Sequence, residues 1–121
     1  LILADTMMWI DYFRNRTAEM HGQLEEGKIV MHPFIVAELA LGSLRERGKT
    51  LATLDMLPRV KVASLGEVRG MIERHGLYSK GIGLTDAHLV ASAMITPSVR
   101  LWTRDKRLRS MAEALGVLAD I

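Results

Sequence analysis

Short apolar runs alternating with helix-length stretches constrain this chain more than any other feature of its sequence. Leu1–Ala4, Lys28–Met31, Val60–Ala63, Val99–Thr103 and Val117–Ala119 are too short for helices and read as buried strands. Between them lie helix signals. Asp5-Thr6 starts a helix carrying Met8-Trp9 and Tyr12-Phe13, and a short helix after Thr17 stops near Gly27. His32-Pro33 opens a helix that stays apolar to Leu41, and Pro58 closes another over Thr50–Leu57. Ser64 and Glu67 have the spacing of a capping box for a helix ending at Gly76. Thr85–Ile95 runs up to Pro97, and Arg104–Leu115 stops at Gly116. The alternation predicts an α/β fold with a parallel sheet and helices on both faces. In such a sheet, chemistry gathers beyond the carboxyl ends of the strands.

The 121 residues make one expected domain, long enough to bury roughly two-thirds of its unfolded surface. The absence of cysteine excludes disulfides, thiolate zinc sites and cysteine nucleophiles. Sixteen basic against fourteen acidic side chains, net +2, permit a nucleic-acid partner without demanding one. The opening Leu1–Asp5 lacks the basic region of a signal peptide, and with Leu1 in place of Met the natural start is expected just upstream. Each long apolar stretch holds a carboxylate, so no membrane span and a cytoplasmic location are expected.

Four carboxylates fall where the crevice should be. Asp5 and Asp105 follow strands, whereas Glu38 and Asp86 lie in the early turns of apolar helices. Helix capping accounts for an aspartate in a first turn, at about 0.5–2 kcal/mol. It does not account for Glu38 as the only charge between Ile29 and Leu44, or Asp86 as the only one between Gly81 and Val99. A helix apolar all round is expected to be buried, and a lone buried carboxylate is unfavourable. Two such charges 4 Å apart repel by about 4 kcal/mol at a dielectric near 20. A divalent cation reverses that sign, and all-oxygen ligation suits Mg²⁺ or Mn²⁺.

Other chemistries lack their residues. His21, His32, His75 and His88 form no helical ligand pair, which leaves zinc without a site. No Gly-x-Ser-x-Gly elbow is present, and Gly81-Ile82-Gly83 is too little for a phosphate loop. A haloacid-dehalogenase-type phosphotransferase needs a second aspartate where Met7 stands. Trp9, Trp102 and most of the eight methionines sit among apolar neighbours and read as core.

The segments Leu1–Thr6, Ile35–Leu39, Gly83–Ala91 and Leu101–Asp105 resemble the acidic motifs of PIN-domain nucleases, and most closely those of VapC toxins. The resemblance runs from residue 1 to about residue 108, four motifs in order. It implies a PIN-like three-layer α/β/α sandwich, residues 1–121, around a mainly parallel sheet of four or five strands. It also implies a Mg²⁺- or Mn²⁺-dependent endoribonuclease with Asp5, Glu38, Asp86 and Asp105 as catalytic, metal-binding acids and Thr6 and Thr103 supporting them. The implied partners are RNA, a VapB-type antitoxin occupying the crevice and reaching operator DNA through its own domain, and a second copy of the chain. Met7 departs from the family's small polar residue after Asp5-Thr6 and points to weaker metal binding.

On that reading, water activated by the ion attacks a phosphodiester in line, leaving a 5′-phosphate and a 3′-hydroxyl. RNA must then be gripped outside the acidic pocket, and Arg14, Arg45, Arg104 and Arg107 are the candidate contacts. The alternative is a non-catalytic PIN-like binding module that keeps the antitoxin partner and has lost the chemistry.

Overall fold

The computed structural model describes residues 1–121. Its sheet is built around β1 (Ile2–Ala4), which pairs in parallel with β2 (Ile29–Val30) and β3 (Arg100–Trp102) in the order β2-β1-β3. Leu3 stands opposite both Val30 and Leu101. Successive strand residues point to opposite faces, yet all of β1 is buried, so the helices cover both sides.

The two outer apolar runs join the sheet more weakly than expected. Each contributes a single parallel bridge, Met31 with Arg59 and Leu101 with Leu118, instead of a strand. Pro58 offers a carbonyl to the Met31 N–H at 2.7 Å but has no N–H to return, and the capping box at Ser64 soon turns the chain into a helix. The expected four or five strands are therefore three strands flanked by two bridges.

Seven helices connect and cover these strands: α1 (Thr6–Asn15), α2 (Ala18–Glu25), α3 (Pro33–Leu41), α4 (Arg47–Asp55), α5 (Leu65–His75), α6 (Leu84–Ile95) and α7 (Lys106–Ala114). Each named strand ends one residue before or close to a side chain that caps the next helix. Asp5 accepts from the Met8 N–H, His32 from Phe34 and Asp105 from Leu108. The strand edge and the helix starts thus coincide, which concentrates polar side chains there. α4 begins three residues earlier than the sequence predicts. Glu46 adopts the left-handed conformation, and Arg47 donates to the Ala40 carbonyl at 2.9 Å, pinning the turn to α3.

One helix departs from its expected surroundings. α3 is apolar on every side and was expected to be enclosed, but only Ile35 and Leu39 are buried. Ala37, Glu38 and Leu41 face solvent, Leu41 at 89% exposure, because α1 and α4 cover the helix on one side only. No helix is long and apolar enough to cross a membrane.

Candidate active site

Asp5 is the buried centre of the carboxyl edge, 6% exposed. Oδ1 accepts the Met8 N–H at 3.0 Å, and Oδ2 accepts the Thr103 hydroxyl at 2.5 Å. The same Thr103 hydroxyl accepts the Asp105 N–H at 3.1 Å, so one side chain aligns the acids after β1 and β3. Asp105 Oδ1 is occupied in turn by the Leu108 N–H at 2.9 Å. On the far side, Thr6 donates to Glu38 Oε1 at 2.5 Å, drawing α3's carboxylate toward the start of α1.

Asp86, in the first turn of α6, completes the group. Burial, and then the charges of Asp5, Asp105 and Glu38, push its carboxyl up to about 6. Burial also raises Asp5, against the downward pull of its hydrogen bonds from Thr103 and Met8, and Asp105 adds to the rise. All four acids thus share one electrostatic field. They do not share one environment: Asp5 is buried and Asp86 half-buried, while Glu38 and Asp105 are exposed. The expectation that Glu38 lies in an apolar interior is corrected here, because α3 presents it along its open face.

A PIN-domain sequence profile matches residues 2–114, a span that contains all four acids and every strand. The chain belongs to the PIN-domain family. This PIN domain is 37% identical to the protein named ribonuclease VapC32 in Mycobacterium tuberculosis, in both strain CDC 1551 / Oshkosh and strain ATCC 25618 / H37Rv. Each alignment runs over 117 residues, 97% of this chain and 94% of the relative. The resemblance to VapC proteins therefore extends over nearly the whole chain.

The donor set of the PIN domain fits a hard divalent ion: carboxylate oxygens only, with neither thiol nor imidazole among them. Burial and the three neighbouring charges together raise Asp86 to about 6, and a cation would offset both. No three acidic or imidazole side chains already converge into a closed metal shell, although Asp5, Glu38 and Asp105 all act on Asp86.

The predicted RNA contacts fall in three different places. Arg104 donates to Asp11 at 2.8 Å and lies close enough to Asp5 for its charge to oppose the rise that burial causes there. Arg14 and Arg45 line a separate cavity of about 590 Å³ beyond α1, walled by Trp9, Tyr12, Phe13 and Leu54. Arg107 stands on α7, two residues past Asp105. The sequence reading missed the cavity; its signal was Trp9, Tyr12 and Phe13 at helical spacing together with the cations at positions 14, 16, 45 and 49. Trp9 and Trp102 are core residues, as their neighbours predicted.

Proposed function

We propose that this PIN domain, residues 1–121, is a metal-dependent endoribonuclease toxin of the VapC type. The observation that carries the reading is the grouping of Asp5, Glu38, Asp86 and Asp105 at the carboxyl edge of a parallel sheet, where burial first, and then the other three charges, raise Asp86. The 37% identity to a protein named ribonuclease VapC32 supports the same activity.

Asp5, Asp86 and Asp105 would hold Mg²⁺ or Mn²⁺, with Glu38 beside them. Such an ion supplies, when bound, a Lewis acid for a phosphoryl oxygen and a lowered pKa for water. Thr103 fixes Asp5 by its hydroxyl hydrogen and receives the Asp105 N–H, so both acids keep one orientation. Thr6 holds Glu38 toward the pocket although α3 leaves that side chain open to water. Asp86, raised to about 6 without an ion, is the acid whose ionisation a bound cation would favour most. Hydrolysis leaves a 5′-phosphate and a 3′-hydroxyl.

The regulator is a VapB-type antitoxin. The cavity beyond α1 supports this: Arg14, Arg16, Arg45 and Lys49 outnumber Glu46 on its lining, beside Tyr12, Phe13 and Leu44. An acidic segment with apolar anchors matches that lining. A homodimer is part of the same reading, operator DNA is reached through the antitoxin, and the cytoplasm is the working compartment.

The test is cleavage of a structured RNA panel by antitoxin-free protein in Mg²⁺, Mn²⁺ or EDTA, beside Asp5→Asn. Defined cuts that require metal and vanish in the variant are expected. Folded protein that binds Mn²⁺ in calorimetry yet cuts no RNA of the panel would call for other RNAs. Failure to bind Mn²⁺ would favour the non-catalytic module.

A further inference from the structure

Five cations surround Asp105 in the sequence, and the structure gives them different tasks. Arg100 donates to the Gly116 carbonyl, Arg109 to the Thr103 carbonyl at 3.1 Å, and Arg104 to Asp11 at 2.8 Å. These three hold the ends of β3 and α7 in place. Lys106 and Arg107 form no ion pair, and both stand exposed in the first turn of α7. A cation there opposes the helix dipole, so the helix itself gains nothing from either charge.

Arg107 differs from Lys106 in having a seat. A Cβ built on Gly81 would collide with Arg107 Nη1 and stand 3.0 Å from both Cδ and Cζ. The guanidinium therefore lies directly on the bare Cα of Gly81, whose φ of +75° also disfavours any side chain. Gly81 belongs to the loop that leads into α6 and Asp86, whereas Arg107 follows Asp105. The contact thus spans the two segments that carry these acids. Arg107 is nevertheless absent from the charges that move Asp5 or Asp86; Arg104 is the cation that Asp5 feels. Arg107 is thus held between the Asp86 and Asp105 segments without neutralising Asp5 or Asp86.

We propose that Arg107, seated on Gly81, is a positioning residue that grips an RNA phosphate flanking the scissile bond. A planar fork held against backbone keeps its orientation and loses less freedom on binding than a free lysine would. The proposal rests on the ribonuclease reading and adds to it the side chain that sets the strand's approach between Asp86 and Asp105.

The test measures binding of a short, fluorescently labelled, single-stranded RNA of mixed sequence as a function of KCl. Ca²⁺ replaces Mg²⁺, and gels confirm that the RNA stays intact. Arg107→Gln removes the charge but keeps a polar, flexible side chain at an exposed position, and should fold normally. It should weaken binding roughly 3–10-fold and lower the slope of log Kd against log salt by about 0.7, the loss of one phosphate contact. Gly81→Ala, which keeps every charge but displaces the guanidinium, should weaken binding comparably, and Arg107→Lys should recover only part of the loss. In cleavage assays KM should rise while kcat holds, the signature of uniform binding. Wild-type slope and affinity in Arg107→Gln would overturn the proposal while leaving the nuclease reading untouched. A full effect in Arg107→Gln with none in folded Gly81→Ala would overturn the seat. Wild-type protein that neither binds nor cuts RNA would overturn both readings together.

Discussion

Asp5 and His32 occupy equivalent places: each follows a strand, caps a helix and is buried at the carboxyl edge of the sheet. Their surroundings are opposite. His32 Nδ1 accepts the Phe34 N–H at 3.0 Å, which puts the ring proton on Nε2, facing Ser92 Oγ at 3.2 Å. Ser92 also accepts the Ala63 N–H at 3.2 Å. Every polar atom of the imidazole is matched by a neutral partner, and burial, His88 and Arg59 lower its pKa to about 4. Asp5 has hydrogen bonds too, but Asp105 adds like charge beside it and Asp86 feels the Asp5 charge in turn. A matched, neutral buried group belongs to the fold. A charge held among like charges is kept ready for something that arrives.

The sharpest way to break this contrast is to exchange charge for shape at both positions. Asp5→Asn keeps the oxygen that caps α1 and removes the charge; cleavage should fall by roughly 10²–10³-fold or more, with the fold retained by circular dichroism. His32→Ala should do the reverse, lowering stability in urea by about 2–4 kcal/mol through a lost cap, a cavity and an unmatched Ser92. Its activity should fall only as far as the folded fraction does. An inactive but fully stable His32→Ala would place His32 in the site and dissolve the distinction.

Loss of one hydroxyl should cost less than loss of an acid. Thr103→Val frees both Asp5 and the Asp105 N–H, and a drop of roughly 10–100-fold in cleavage is expected, in line with other groups that orient metal-binding side chains. Thr6→Val releases only the exposed Glu38 and should cost less than Thr103→Val in the same assay.

The smallest effect is read through pH, where the two regions have opposite signs. His32 titrates near 4 when folded and near 6.5 when unfolded, so its contribution is complete above 6.5 and is lost as pH falls toward 4. Asp86 titrates near 6 when folded against 3.8, so its contribution is complete below 3.8 and is lost as pH rises through 6. In EDTA, Asp86→Asn should therefore be more stable than wild type at neutral pH, by on the order of 1–2 kcal/mol after solvent screening. The advantage should vanish in urea titrations near pH 4. Mn²⁺ should narrow it at neutral pH by stabilising the wild type.

The acids were legible because each breaks a local pattern. Asp86 stands alone in an apolar stretch, and Asp5 and Asp105 interrupt strand-to-helix junctions. Glu38 was found by the same rule for a reason that proved wrong. An apolar helix predicts burial only if something covers every side, and α3 is covered on one. The outer strands were legible as apolar runs, but a run does not say how many ladder bonds it makes, and Pro58 limited one of them to a bridge. Hydrogen bonds such as Thr103 to Asp5 span 98 positions and leave no trace in local spacing.

The sequence alone determined the alternation of strand and helix, the caps that end each strand, and which four acids stand out from their surroundings. These are local matters of propensity, capping and charge among apolar neighbours, and they act within a few residues of their cause. Tertiary structure decided which cations are engaged and which are free, why His32 is neutral, and that Gly81 seats Arg107. Those outcomes depend on what a side chain meets across the fold, and residues 26 positions apart in the chain meet only when the sheet brings α7 beside the loop entering α6.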